Sequence, residues 1–389
     1  MRDAVIVEAV RTPVGKGKPQ GALAGVHPVE LLAHTLRALV ERSGIDPALV
    51  DDVIGGTVDQ VGEQAMNTTR YAVLSAGFPE SVPATTVDRQ CGSSQQAVHF
   101  AAQGVMSGAY DMVVACGVES MSRVPMWSNV PAGADPFGPG IAERYPDGLV
   151  PQGISAELIA AKWSIGRDRM DAFATASHQR AARAWDAGLF DAETVPVAGL
   201  TRDESVRPAT TPEVLAGLKP AYYDPGFGER FPQIDWSVTA GNSSPVNDGA
   251  SAVLITTSEH AARLGLRPLA RLHSFAVTGS DPLMMLTGIL PATEKVLRKA
   301  SLSLDDIDLF EVNEAFASVV LAWLRETGAD HEKVNVHGGA IALGHPLGAS
   351  GTRLMTTLVH AMRLRGSRYG LQTMCEAGGL ANATILEAL

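Results

Sequence analysis

The chain has 389 residues, 46% of them hydrophobic and 19% charged, and a formal net charge of -11. That apolar fraction can offset the entropy of ordering two or three domains, which excludes a disordered chain. The negative balance excludes the basic face that nucleic-acid binding requires.

The N-terminus enters the alternating run Ala4-Val5-Ile6-Val7 directly, without the basic and apolar segments of a signal peptide. No apolar stretch is long enough to span a bilayer, and the final Leu386-Glu387-Ala388-Leu389 is not an address signal. Three cysteines, none at C-x-x-C spacing, point to a reducing cytoplasm rather than a disulfide framework.

Residues 29–41 place Leu31, Leu32, Leu36, Leu39 and Val40 on one helical stripe, and Asp52-Val53-Ile54, closed by Gly55-Gly56, reads as a short buried strand. A helix is predicted from Gly92 to near Gly108, followed by a buried strand over 111–116. This alternation is an α/β signature. From about 120 to 236 the composition shifts to Pro, Gly, Trp and charged residues, with one helix over 170–187. The region reads as an inserted loop domain, because a structureless loop of that length is improbable in a compact protein. A helix over 292–300 then leads into a strand over 307–310, and another helix is predicted over 316–324.

The two ends of the chain look like copies of one another. Ser43-Gly44-Ile45-Asp46-Pro47 through Asp51-Asp52 joins a helix to a strand as Ser301-Leu302-Ser303-Leu304-Asp305-Asp306 does later. On that register residues 86–91 correspond to 333–338, and the strand ending at Cys116 corresponds to the strand ending at Cys375. Loops after equivalent strands then meet at a pseudo-twofold axis, where Cys91, His345 and Cys375 can converge.

Cys91 ends a strand and precedes a helix start, Gly92-Ser93-Ser94, with serine as the expected cap. Helix-end N–H groups there are expected to lower the thiol pKa, although a buried structural cysteine fits the same pattern. The glycine-rich run from His337 to Gly351 permits tight turns and close approach to a ligand. It lacks the Lys-Ser/Thr of a phosphate loop, and His345 stands out within it. Cys375 follows a strand and precedes Gly378-Gly379, whose backbone N–H groups suit an oxyanion. Asn313 reads either as a helix cap or as a carboxamide that positions a water or oxyanion. Cys116 has no polar partner nearby in sequence and reads as structural.

Cys91-Gly92-Ser93-Ser94, Asn313-Glu314-Ala315-Phe316, Gly344-His345-Pro346 and the glycine-followed Cys375 resemble, in order, the active-site motifs of thiolases. The resemblance runs along nearly the whole chain, from Val7-Glu8-Ala9-Val10-Arg11-Thr12-Pro13 through the segment Ala240 to Ala250. The detail from Asp88 to Gln96 is closer to bacterial degradative thiolases, including those of actinobacterial steroid catabolism.

This resemblance implies an α/β thiolase fold: two βαβαβ-type halves layered αβαβα, with a first half over 1–119 completed by 237–267, a loop domain over 120–236 and a second half over 268–389. It implies thiolytic cleavage of a 3-oxoacyl-CoA, or the reverse condensation, in fatty-acid or steroid degradation. Cys91 would be the nucleophile, His345 its base, Cys375 the second acid/base and Asn313 the holder of a water, with backbone N–H groups of Cys91 and Ala377 as an oxyanion hole. Ser244, Lys219, Gln152 and Leu286 would contact CoA or the acyl group. CoA is a substrate in this reading, no cofactor or metal is called for, and the assembly would be a cytoplasmic homodimer or homotetramer.

Three departures bear on the substrate. Ala377 stands where many relatives have glycine, Pro151-Gln152-Gly153 where biosynthetic members carry His-Met-Gly, and Met284 to Pro291 differs from their glycine-rich loop. Biosynthetic acetoacetyl-CoA thiolase and a non-catalytic acyl-CoA-binding scaffold are the alternatives. A carrier-protein condensing enzyme fits less well, since it would use two histidines, or His and Asn, in place of a second cysteine.

Overall fold

The computed structural model describes residues 2–389. The first half comprises β1 (Val5–Arg11), β2 (Gly15–Lys16), α1 (Pro28–Ser43), β3 (Asp52–Gly56), α2 (Thr68–Ser75), β4 (Ala84–Val87), α3 (Ser93–Ser107) and β5 (Met112–Ser120). Next come α4 (Pro139–Arg144), α5 (Gln152–Lys162), α6 (Arg167–Asp186), α7 (Pro212–Ala216) and α8 (Pro225–Arg230), before β6 (Asn247–Thr256) and α9 (Ser258–Arg263). The second half runs through β7 (Ala270–Gly279), α10 (Ile289–Ala300), β8 (Leu309–Val312), α11 (Ala317–Thr327), α12 (Ala340–Leu343), α13 (Ser350–Arg365), β9 (Tyr369–Glu376) and β10 (Leu380–Ala388).

The strands lie in the order β4-β3-β5-β6-β1-β7-β10-β9-β8. Each half holds parallel strands beside antiparallel ones: β3 runs parallel to β4 and β5, and β8 parallel to β9. The halves join edge to edge where Val5 and Ile6 of β1 meet Arg271 and Ala270 of β7. The expected duplication is therefore present in the topology.

Its register differs from the one read in the sequence. Asp51 accepts from the backbone N–H groups of Asp111 and Met112, and Asp308 accepts in the same way from Arg368 and Tyr369. These two aspartates are therefore the equivalent residues. Val53 then matches Phe310, and because Val53 pairs with Ala84 and Phe310 with Val334, Ala84 matches Val334. The expected match of 86 to 333 is thus displaced by three residues. Likewise β5 continues past Cys116 to Ser120, so Cys116 matches Thr373, and Cys375 lies one full pleat further along its strand.

The layers follow from which faces are apolar. Leu31, Leu32 and Leu36 of α1 and Val73 of α2 cover one face of the first half with Val53, Val114 and Leu254. The opposite face meets α3 and α13, where Ala97, Ala101, Met355 and Leu358 share a core with Val113 and Val253 of one half and Leu309 and Leu386 of the other. Beyond the second half, Val296 of α10 and Trp323 of α11 pack with Phe310 and Ile385, joined by Ile159 of α5 and Phe173 of α6. Helices thus cover both outer faces and fill the space between the half-sheets.

Between the two half-sheets, α13 has no solvent face over residues 350–362, which are all buried. Its hydroxyls bond back into the helix, as Thr356 Oγ1 does to the Thr352 carbonyl at 2.8 Å. Arg11 of β1 ties down the inserted region: its buried guanidinium meets Glu193 at 2.5 Å and Asp203 at 2.8 Å. Removing one partner of such a buried set costs roughly 3–5 kcal/mol, since an uncompensated charge is left behind.

Candidate active site

Cys91 sits on a sharp turn between β4 and α3. Gln90 is held at φ 50°, in the left-handed region, and such strain in a non-glycine residue persists only where surrounding bonds overdetermine it. Here Gln90 N–H donates to Asp88 Oδ1 at 2.6 Å, and its carbonyl accepts from Ser93 N–H at 3.0 Å and Ser93 Oγ at 2.5 Å. The helix cap is Gly92 rather than a serine. A Cβ on Gly92 would lie 1.8 Å from Glu376 Oε1, so any side chain there would have to displace the Glu376 carboxyl.

The structure brings three of the sequence motifs together. Cys91 packs in one buried cluster with Leu347, two residues past His345, and with Met374, which precedes Cys375. Cys91, His345, Cys375 and Asn313 are all buried. The helices that follow the two loops, α3 and α13, cross closely because Gly351 has no side chain: a Cβ there would lie 2.1 Å from the Gln95 nitrogen.

His345 is fixed at each polar atom. Its N–H donates to Asn247 Oδ1 at 3.0 Å, and Nδ1 lies 2.6 Å from Ser350 Oγ. The Ser350 hydroxyl donates to the Pro346 carbonyl at 2.8 Å, so it must accept from His345 Nδ1–H. Nε2 therefore carries the lone pair, and Asn313 Nδ2 faces it at 3.4 Å. Burial first, then the charge of Arg353, pushes the His345 pKa down to about 3.

The expected thiolate-stabilising effect of the helix end is overturned. Burial pushes the Cys91 thiol well above its usual value, reinforced by Cys375, Glu376 and Glu119, against a smaller opposing contribution from its own backbone N–H. Cys375 is pushed up to about 12 by burial and then by Glu376. Both thiols and the imidazole are therefore neutral, and the lone pair of His345 stays on Nε2. Because His345 stays neutral down to about 3, kcat/KM should show no acid limb near the ordinary histidine value. A pH profile with a half-maximum between 6 and 7, about the unperturbed imidazole range, would contradict this.

Asn313 is not a helix cap: Phe316 precedes α11. Its N–H donates to the Thr373 carbonyl at 3.0 Å, and its buried Oδ1 has no partner among the described residues. Its neighbour Glu314 braces the glycine run, accepting from Ser177 Oγ at 2.7 Å, Asn335 Nδ2 at 2.9 Å and Ile341 N–H at 3.1 Å.

A cavity of about 380 Å³ opens beside Cys91, within the range of small-molecule sites. Met126, Trp127, Phe137, Leu149, Val150 and Met285 form an apolar wall, and Asp59, Asn129 and Gln152 add polar atoms. Ala377 also lines it, whereas Leu286 is buried in the core behind Met285. The one-residue error arose because 285–288 is a short 3-10 turn. Neither Ser244 nor Lys219 reaches the cavity wall: Ser244 Oγ donates to the Ala315 carbonyl at 3.2 Å, and Lys219 is exposed.

Sequence reading missed Ser350, Asn247 and Glu119. Glu119 accepts from the N–H groups of Val58 at 2.9 Å, Asp59 at 3.2 Å and Gly348 at 2.8 Å, and from Gln64 Nε2 at 2.7 Å. It thereby fastens the loop after β3 to the loop after His345. Ser350 lay within the glycine-rich run, five residues from the histidine, where a helix start could have signalled it. Glu119 carried no local signal.

Among the described residues, no cluster of three or more His, Cys, Asp or Glu side chains could hold a metal, and no helix is long and apolar enough to cross a membrane. The model of the thiolase N-terminal domain matches residues 4–259, and that of the thiolase C-terminal domain matches residues 266–388. A steroid 3-ketoacyl-CoA thiolase of Mycobacterium tuberculosis is 48% identical over 401 residues, covering 100% of this chain and 95% of that protein. A 3-ketoacyl-CoA thiolase of Bacillus subtilis is 43% identical over 404 residues, covering 100% of both. Among solved structures, Bacillus anthracis acetyl-CoA acetyltransferase matches with a TM-score of 0.88 and 39% identity, covering 100% of this chain and 99% of that one. Human mitochondrial 3-ketoacyl-CoA thiolase in complex with CoA matches with a TM-score of 0.89 and 36% identity, covering 100% and 98%.

Proposed function

This chain belongs to the thiolase family, and we propose that it cleaves a medium, branched or ring-derived 3-oxoacyl-CoA through an acyl group carried on Cys91. The observation that carries the mechanism is the hydrogen-bond chain behind His345, which leaves Nε2 unprotonated, on a loop whose Leu347 packs against Cys91.

In the cleavage direction His345 Nε2 takes the Cys91 proton as the sulfur attacks the 3-keto carbon. The C2–C3 bond then breaks, leaving the acyl group on Cys91 and an acetyl-CoA enolate. Cys375 gives its proton to C2. After acetyl-CoA leaves, the Cys375 thiolate takes the proton of a second CoA thiol, whose sulfur attacks the Cys91 thioester. The shortened acyl-CoA departs, and His345 returns the proton to Cys91. Condensation is the same path reversed.

Negative charge appears on two oxygens. Protonated His345, with a water held by Asn313 Oδ1, serves the enolate, and the N–H groups of Cys91 and Ala377 serve the tetrahedral oxygen. Removing one such donor typically costs about 3–4 kcal/mol of barrier. Gln152 is assigned to the acyl-binding wall, on its cavity position. CoA is a substrate in this scheme, and no metal or other cofactor takes part.

The apolar wall favours a larger acyl group than acetyl. Each methylene buried is worth about 0.8 kcal/mol, roughly fourfold in kcat/KM, so two added carbons should raise it by about fifteenfold over acetoacetyl-CoA. Thiolysis rates across chain lengths and branched or cyclic acyl groups test this; a maximum at acetoacetyl-CoA would instead support the biosynthetic reading. The division into 1–119 with 237–267, 120–236 and 268–389, a homodimer or homotetramer, and a cytoplasmic site of action complete the proposal.

A further inference from the structure

Glu376 takes no part in the steps above, yet its charge acts on both thiols, Cys91 and Cys375. It follows Cys375 directly on β9, and its carboxyl occupies the space that a side chain on Gly92, next to Cys91, would fill. It is fully buried, and among the described residues neither of its oxygens has a hydrogen-bond partner. The Nε of Arg89, on the Cys91 turn, is also buried without a partner. Such groups are normally satisfied, so a carboxyl and a guanidinium left open around one nucleophile call for an explanation.

We propose that Glu376 is a positioning residue for both thiols: as the neutral acid it wedges the Cys91 turn and admits a thiolate beside it, and as a carboxylate it forbids one. This rests on the acyl-transfer reading of Cys91 and Cys375. The cycle places a negative charge on each sulfur in turn, and a second negative charge at that distance in a dry site opposes it. Burial pushes the Glu376 carboxyl well above the usual range, with Arg89 pulling it down and Asp88 pushing it up.

The charged or titratable groups facing it are Asp88 and Arg89 on the turn, Cys91 beyond Gly92, and Cys375 on its own strand. Across the ladder on β10 stands Leu380, which carries no charge. Arg89 is also felt by His99 of α3, which burial and then Arg89 and Lys299 hold down at about 3 and hence neutral. Glu119 of β5 acts on Cys91. Arg89 is therefore the nearby cation that favours the carboxylate form.

The test compares kcat/KM for thiolysis against pH in wild type, E376Q, E376A and R89Q, with thermal melting to verify folding. Above the ionisation of Glu376, wild type should lose roughly tenfold per pH unit, as expected for a single inhibiting ionisation. E376Q, with the same shape and no charge to gain, should retain turnover at neutral pH and lack that alkaline limb. E376A, which removes the wedge, should fall at every pH. In R89Q the limb should move to higher pH, because the cation favouring the carboxylate is gone; this arm stands even if the Glu376 variants fail to fold.

Superimposable profiles in wild type, E376Q and R89Q would overturn the proposal, as would folded E376Q that is inactive at neutral pH. Peptide mass after incubation with acetyl-CoA separates the two levels of inference. An adduct on Cys91 with unshifted profiles overturns only the role of Glu376, whereas no adduct in wild type overturns the acyl-transfer reading beneath it.

Discussion

Cys91→Ala should carry no acyl adduct after incubation with acetyl-CoA and should lose on the order of 10⁶-fold in kcat, the scale seen when a covalent nucleophile is removed. The effect is large because no other thiol can substitute. Cys375 is buried on β9 and is occupied by the proton steps in this scheme, and Cys116 lies in the apolar core beside α1. The structural cost should be small, since the substitution removes one sulfur at the edge of an existing cavity. Melting within a few degrees of wild type together with loss of the adduct is the expected pair of results. An adduct that persists in Cys91→Ala would place the nucleophile elsewhere.

Cys375→Ser should separate the two halves of the cycle. Cys91, His345 and the proposed oxyanion donors remain, so acyl transfer from acetyl-CoA to Cys91 should still occur and be visible by mass. Turnover should fall by roughly 10²–10⁴-fold, the usual contribution of a positioned acid/base, because a serine hydroxyl gives and takes a proton less readily than a thiol. His345→Ala should differ by slowing adduct formation itself, since burial holds Cys91 in its neutral form. If Cys375→Ser acylates and turns over at the wild-type rate, the second proton must come from another group. Glu376 would then be the first to examine, because it lies against Gly92.

Much of this site was legible before any coordinates. Cys91, His345, Cys375 and Asn313 sit in segments whose glycines and strand-to-helix transitions are local properties of the sequence. The internal duplication was legible too, because the Asp-rich turns before β3 and β8 carry similar residues. Its register was not: the first half is longer between Val53 and Ala84 than the second is between Phe310 and Val334, the second half then inserts the loop that bears His345 before α13, and nothing in the residues announces how many positions either insertion displaces.

The electrostatics were misread for a physical reason. A helix N-terminus lowers a thiol pKa where solvent and donors are present, but desolvation dominates in this dry cluster beside Glu376 and Cys375. Burial is a property of the packed whole, and no helix-end pattern reports it. The lateral braces escaped for a similar reason: Glu119 reaches Gly348 and Asn247 reaches His345 across more than ninety positions of sequence.

The sequence by itself determined which elements form, that they come in two related sets, and which residue types stand at their ends, because periodicity, caps and glycine turns act over a few residues. Only the tertiary structure decided that α3 and α13 lie between the half-sheets, that the two thiols are neutral at rest, that the proton on His345 is on Nδ1, and that Met285 rather than Leu286 lines the cavity beside Cys91. Each of these depends on what surrounds a group from several elements at once, and that is settled only when the chain has packed.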